Sequence, residues 1–192
     1  MKKPETRKNI SNEKEIFIQP KSFGFRNAYD IKNKDKEKIG VVKLLSFLWR
    51  PKGFSIFGNK NELILRVEDQ KTKHNMGRFS SKPLISKIFD SRNKLLATME
   101  RHVVSFHLFF KKVKVIIRSP RGKKLFEISS KVIEGESVFV PDEIRLYDKK
   151  GDIIEKFEKS YWKTEIKLKL KRPFDMRIVL GAFLQFLCWT TP

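Results

Sequence analysis

RPFDMRIVLGAFLQFLCWTTP (Arg172–Pro192) closes a lysine-rich chain with an apolar segment that has no polar face. From Met176 to Trp189 only Arg177 and Gln185 are strongly polar, so on a helix the apolar side chains run all the way round. Such a helix must be buried on every side. Its fourteen residues make about 21 Å at 1.5 Å per residue. A bilayer core of roughly 30 Å usually takes about 20 apolar residues. The length therefore favours a helix over 174–190 that the rest of the protein wraps, with Ile178, Leu180, Phe183, Leu184 and Leu187 in its core. A short C-terminal membrane anchor is the competing reading.

The 192 residues suit one domain that encloses a real core. Charge is the unusual feature: 43 Lys and Arg against 22 Asp and Glu leave +21, with a pI near 10.1. Such an excess attracts phosphate-bearing partners, whether an anionic membrane surface or nucleic acid, and says nothing about fold. The single cysteine, Cys188, lies in the apolar tail, so neither a disulfide framework nor a thiol metal site is expected. A reducing, cytoplasmic setting is the simplest inference. The basic start, MKKPETRKN, is not followed by an apolar stretch, so no cleaved secretory signal is expected. Residues 1–14 read as a flexible basic arm, and 15–192 as one domain.

Inside that domain the chain repeats itself weakly. FGNKNELILRV (from Phe57), FDSRNKLLATM (from Phe89) and YDKKGDIIEKF (from Tyr147) align without a gap. Each reads aromatic, two residues, a base, Asn or Gly, one polar residue, then two aliphatics. Asn61, Asn93 and Gly151 stand where a type I turn with a G1 bulge needs a left-handed residue, which Asn and Gly tolerate best. Asp90 and Asp148 suit the first turn position. A fourth copy, VIIRSPRGKKLFEIS, reads as one residue longer, with Pro120 and Gly122 in its turn, and YDIKNKDKEKIGVV is a looser fifth. Five hairpins make ten strands, and IFIQP and TEIKLKLK supply two more. The expected fold is mainly β: a closed antiparallel barrel of about twelve strands, since closure removes exposed edges. Such a barrel is too wide to fill from its own walls, and the apolar helix is a suitable plug.

This arrangement resembles the tubby C-terminal-like fold of tubby proteins, plant LURP-one-related proteins and phospholipid scramblases. The resemblance is diffuse, from about Ile16 to Trp189. Its more specific pieces are FRN (Phe25–Asn27), WRP (Trp49–Pro51) and FEKSYW ending at Trp162, which is similar to the scramblases' I-S-K-x-W. In the tail, Asp175, Arg177 and Gly181-Ala182 are similar to the family's D-V-R and G-A ahead of a final hydrophobic helix. The resemblance implies association with anionic phospholipid, and scrambling as a family activity. One departure falls on a functional part: the scramblases' acidic, calcium-associated stretch corresponds here to KTEIKLKLKR, where Glu165 is the only carboxylate. Calcium takes about six to eight oxygens, often from several carboxylates, so no metal site is expected there.

Catalytic constellations are hard to find. His74, His102 and His107 form no zinc motif, and no P-loop, G-x-S-x-G or G-x-G-x-x-G is present. Cys188 is expected to be buried and inert. A non-enzymatic, monomeric protein without cofactor or metal is the expectation. The basic rows are more informative. In TEIKLKLKR, period-two geometry lines up Lys167, Lys169 and Lys171, with Arg172 following. In FFKKVKVIIRSPRGKK it lines up Lys112, Lys114 and Arg118, and Arg121, Lys123 and Lys124 crowd the next turn. Neither stretch contains a carboxylate beyond Glu165. Solvated strand faces kept soluble by lysine are the bland explanation. The functional one is a lipid-associated, scramblase-like barrel that docks peripherally on anionic phospholipid through these rows. Two alternatives stay open: a nucleic-acid-binding basic barrel, since lysine meets any phosphate alike, and a non-catalytic scaffold or ligand carrier.

Overall fold

The computed structural model describes residues 10, 13–20, 29–44, 53–70, 84–107, 110–133, 143–148, 153–158, 165–170 and 174–190. Twelve strands and one helix occupy them. The strands are β1 (Glu15–Pro20), β2 (Tyr29–Asn33), β3 (Lys38–Leu44), β4 (Gly53–Gly58), β5 (Leu63–Asp69) and β6 (Leu84–Asp90). They continue as β7 (Leu95–His107), β8 (Phe110–Arg118), β9 (Lys124–Ile133), β10 (Glu143–Asp148), β11 (Ile153–Glu158) and β12 (Ile166–Lys169), and α1 (Met176–Thr190) ends the chain. The strands form one antiparallel sheet in the order β11-β10-β9-β8-β7-β6-β5-β4-β3-β2-β1-β12.

Neighbours in sequence are neighbours in space, except that β12 returns to pair with β1, Glu15 opposite Lys169 and Ile18 opposite Ile166. The five expected hairpins are β2–β3, β4–β5, β6–β7, β8–β9 and β10–β11. The two expected extra strands, β1 and β12, join each other. The sheet thus ends at β11 and β12. These two come close to one another, but no ladder joins them among the described residues.

Four hairpins close with the same pair of backbone bonds. The first turn residue donates its amide to the carbonyl four residues on, and the amide of the fourth donates to the carbonyl of the first, at 2.8–3.1 Å throughout. The fourth turn residues are Lys36, Asn61, Asn93 and Gly122, all left-handed, with φ of 62°, 61°, 64° and 79°. Asn61 and Asn93 were legible from their residue type. The β8–β9 turn differs from expectation: it spans four residues, Ser119–Gly122, as the other turns do, with Arg118 in the aromatic position, and is not one residue longer. Lys36 was not foreseen, because lysine carries no left-handed preference. Its hairpin is held by the preceding Asn33, whose Oδ1 accepts from the Asp35 and Glu37 amides at 3.0 and 2.9 Å. Asp90 does the same for Arg92 and Lys94, both at 2.9 Å. Gly151 lies outside the described residues.

The inward faces of the strands supply the core, among them Ile18, Ile31, Ile56, Leu65, Ile88, Met99, Val115, Ile117, Phe126, Ile128, Leu146 and Leu168, all within 1% of complete burial. α1 packs against β5, β6, β7 and β9. Every residue from Val179 to Leu187 is buried, so the all-round apolar pattern does mark all-round burial. Leu180, Phe183, Leu184 and Leu187 are in the core as expected, and Ile178 is half-buried against it. The helix begins at Met176, and Asp175 caps it. The Asp175 carboxylate accepts from the Arg177 amide at 3.0 Å and grips the Arg177 guanidinium at 2.7–3.2 Å. Those bonds, against burial, hold the guanidinium's pKa above its usual value, with help from the charges of Asp175 and Asp90.

One expectation needs correction at the N-terminus. Ile10, inside the stretch read as a flexible arm, is 1% exposed and belongs to the core cluster. A single isoleucine in a run of bases and amides carries no periodicity, so nothing local announced its burial.

Candidate anion-binding surface

The β8–β9 hairpin holds most of the predicted cations. Alternation buries Val113, Val115 and Ile117 inward and turns Lys114 and Arg118 outward, half-buried. Arg121 and Lys123 are exposed in the turn, and Lys124 is half-buried beside it. Lys112 is on β8, but its side chain is outside the described ones. The structure thus brings together five of the six residues nominated here.

These cations are not as acid-free as their sequence. Glu127 on β9 receives Lys114 at 3.0 Å and Lys124 at 2.9 Å. Arg118 lies 3.4 Å from Glu100 of β7 and also donates to the Gly122 carbonyl at 3.3 Å. Burial raises the Glu127 carboxyl, but the hydrogen bonds and charges of Lys124 and Lys114 outweigh it and leave the pKa below the usual carboxylate value. Even so, the two carboxylates are outnumbered by Lys114, Arg118, Arg121, Lys123 and Lys124.

The second nominated row is closer to neutral. Lys167 and Lys169 are exposed on β12, yet Glu15 of β1 stands opposite, 2.9 Å from Lys167 and 3.8 Å from Lys169. Glu165 pairs with Lys36. Lys36 and Lys167 also lie over the Phe17 ring, 3.2 and 5.5 Å from its centroid. Lys171 and Arg172 are outside the described residues. Cross-strand register, absent from any local pattern, is what delivers Glu15.

A polar group inside the fold escaped the sequence reading. Gln185, fully buried on α1, donates to the Asp69 carboxylate at 2.9 Å, and Ser86 also donates to Asp69. Asp69 and Ser86 are paired across β5 and β6. They hold the second half of α1 against the wall, and Gln185 in an apolar run was its only hint.

Among the described residues, no three His, Cys, Asp or Glu groups stand together to hold a metal ion, and no helix is long and apolar enough to cross a membrane. The side chains of His107 and Cys188, and all of His74, are outside the described set. No protein-family model, curated protein or solved structure matches the chain.

Proposed function

We propose that this protein is a non-catalytic, lipid-associated barrel of the tubby C-terminal-like kind, which docks peripherally on the anionic face of a membrane. The finer features of the reading are closure of the sheet between β11 and β12, kinship with the scramblases and LURP-one-related proteins, and cytoplasmic residence. The approach of β11 to β12 supports closure, and the all-round burial of Val179–Leu187 favours a helix that serves as core over one that serves as anchor.

The observation that carries the reading is the cation excess of the β8–β9 hairpin. Arg121 and Lys123 are exposed at its tip, and among the described residues Glu100 and Glu127 are the carboxylates paired with the cations behind them. Each Lys or Arg near an anionic leaflet contributes on the order of 1 kcal/mol, so four or five acting together give reversible attachment. The β12 row contributes less, because Glu15 already holds it. Lipid transport is not part of the proposal: the apolar helix is committed to the core, and the calcium-associated acids of the scramblases are missing.

Flotation with liposomes of neutral or anionic lipid, at low and high salt and with competing duplex DNA, tests the reading. Salt-sensitive flotation on anionic liposomes alone, surviving the DNA, is the expected result. Absence of flotation together with tight DNA binding would transfer the hairpin to nucleic-acid recognition.

A further inference from the structure

In an antiparallel meander of this order the hairpin turns all lie at one end of the sheet. Two neighbouring turns repeat one pattern of bases there. Asp90-Ser91-Arg92-Asn93 closes β6–β7 and Ser119-Pro120-Arg121-Gly122 closes β8–β9, each with a backbone bond from its fourth residue to its first. The shared geometry puts an arginine at the third position of both turns, and Lys94 and Lys123 follow the left-handed residues Asn93 and Gly122. Adjacent tips thus carry the same Arg-x-Lys.

All four basic residues are exposed, and none has a carboxylate partner among the described residues. That separates them from Lys36, which Glu165 holds, and from Lys114 and Lys124, which Glu127 holds. The acid of the β6–β7 turn, Asp90, is already engaged: its Oδ1 accepts from the Arg92 and Lys94 amides, both at 2.9 Å. Ser119 takes that role without a charge on the other tip, its Oγ accepting from the Lys123 amide at 3.2 Å. Turn chemistry therefore draws the acceptors back onto the backbone and leaves the cations facing out.

The two tips are two strand spacings apart, about 9.6 Å. An acidic segment without a fold repels itself into an extended chain of polyproline-II character. Such a chain has three residues per turn and rises about 3.1 Å per residue, so carboxylates at i and i+3 point the same way about 9.3 Å apart. Each arginine fork can take one carboxylate through two parallel bonds, and the lysine beside it adds a second charge. Other polyanions match less well. Neither turn carries an aromatic or large aliphatic side chain, so the tips offer no stacking platform to a single strand and no wedge to a bilayer. Duplex DNA has a charge about every 1.7 Å of its axis, far denser than two forks.

We propose that the β6–β7 and β8–β9 tips form a clamp for an acidic, unfolded protein segment with carboxylates three residues apart. The clamp goes beyond the membrane reading, since Arg92 and Lys94 are not part of the docking hairpin.

The test measures binding of the full chain to two labelled peptides of equal composition by fluorescence anisotropy. One has Glu at every third position and the other has its Glu residues consecutive. The spaced peptide should bind more tightly. Arg92→Gln and Arg121→Gln should each weaken it about threefold, and the double variant about tenfold. Lys34→Gln removes the same charge from the β2–β3 turn, about 19 Å from the β6–β7 tip. That exceeds the Debye length of about 10 Å at 0.1 M salt, so binding should stay within about 1.5-fold. Thermal melts of each variant separate lost binding from lost folding.

Equal binding of the two peptides, equal effects of the arginine and Lys34 variants, or no binding of either peptide would overturn the clamp. So would duplex DNA that displaces the spaced peptide and depends on the same arginines. Liposome flotation keeps the two readings apart, because Arg92→Gln should float as wild type does. A peptide-binding protein that never floats would refute the membrane reading and leave the clamp standing. Loss of flotation in Arg92→Gln would assign the tip to the membrane and overturn the clamp.

Discussion

Single residues carry two kinds of information here, and only one of them is local. Asn61 and Asn93 take left-handed turn positions with φ near 61° and 64°, as the energetics of those side chains dictate. Glu127 is the opposite case: its partner Lys114 is set by the pairing of β8 with β9, which no turn signal specifies, although its second partner, Lys124, stands three residues away on β9 itself. Its folded pKa lies below the usual value of 4.5. A lowered carboxylate pKa contributes stability that is fully present above the unfolded value and is lost as pH falls through the folded one. Below about pH 4.5 the wild-type melting temperature should therefore fall more steeply than that of Glu127→Gln. Melts taken between neutral and acid pH check this, and parallel curves would remove Glu127 from the acid response.

At the scale of elements, α1 shows how composition becomes packing. A helix that is apolar on every side has no favourable place on a surface, and α1 is accordingly buried from Val179 to Leu187 and packed against β5, β6, β7 and β9. The fit is close: a Cβ placed on Gly181 would lie 2.9 Å from Leu65 Cδ2 and 3.4 Å from Ile88 Cδ1. Phe183 is fully buried, and Phe183→Ala should cost about 3–5 kcal/mol in chemical denaturation. Half-buried Ile178 should lose less on the same change, and equal losses would mean that the helix does not sit as described. The hairpins follow the same logic from the other side. Their existence and number were legible because turn chemistry is short-range, whereas the common loop length of the β8–β9 turn was not, since Ser119-Pro120-Arg121 disguises the alignment.

For the whole molecule, the net charge of +21 sets an attraction to anions but not its address. Pairing decided that Glu15 quiets Lys167 and Lys169 while the β8–β9 face keeps its excess. The largest single consequence of the architecture concerns the tail. Deleting Met176–Pro192 removes the inner wall against which Leu65, Ile88, Met99 and Phe126 are packed, and it should leave an insoluble or misfolded chain. Solubility of the truncated protein, with its far-UV circular dichroism, measures this, and a soluble β-folded product would restore the membrane-anchor reading. What the sequence by itself determined is the mainly β class, the five hairpins, the two extra strands and the buried helix, because turn chemistry, alternation and all-round apolarity act over a few neighbouring residues. Only the tertiary structure decided that Ile10 joins the core, that Gln185 meets Asp69 across 116 residues, and which lysines stand beside a carboxylate. Those outcomes depend on the register of strands far apart in the chain, and register arises from how the sheet and its helix pack together.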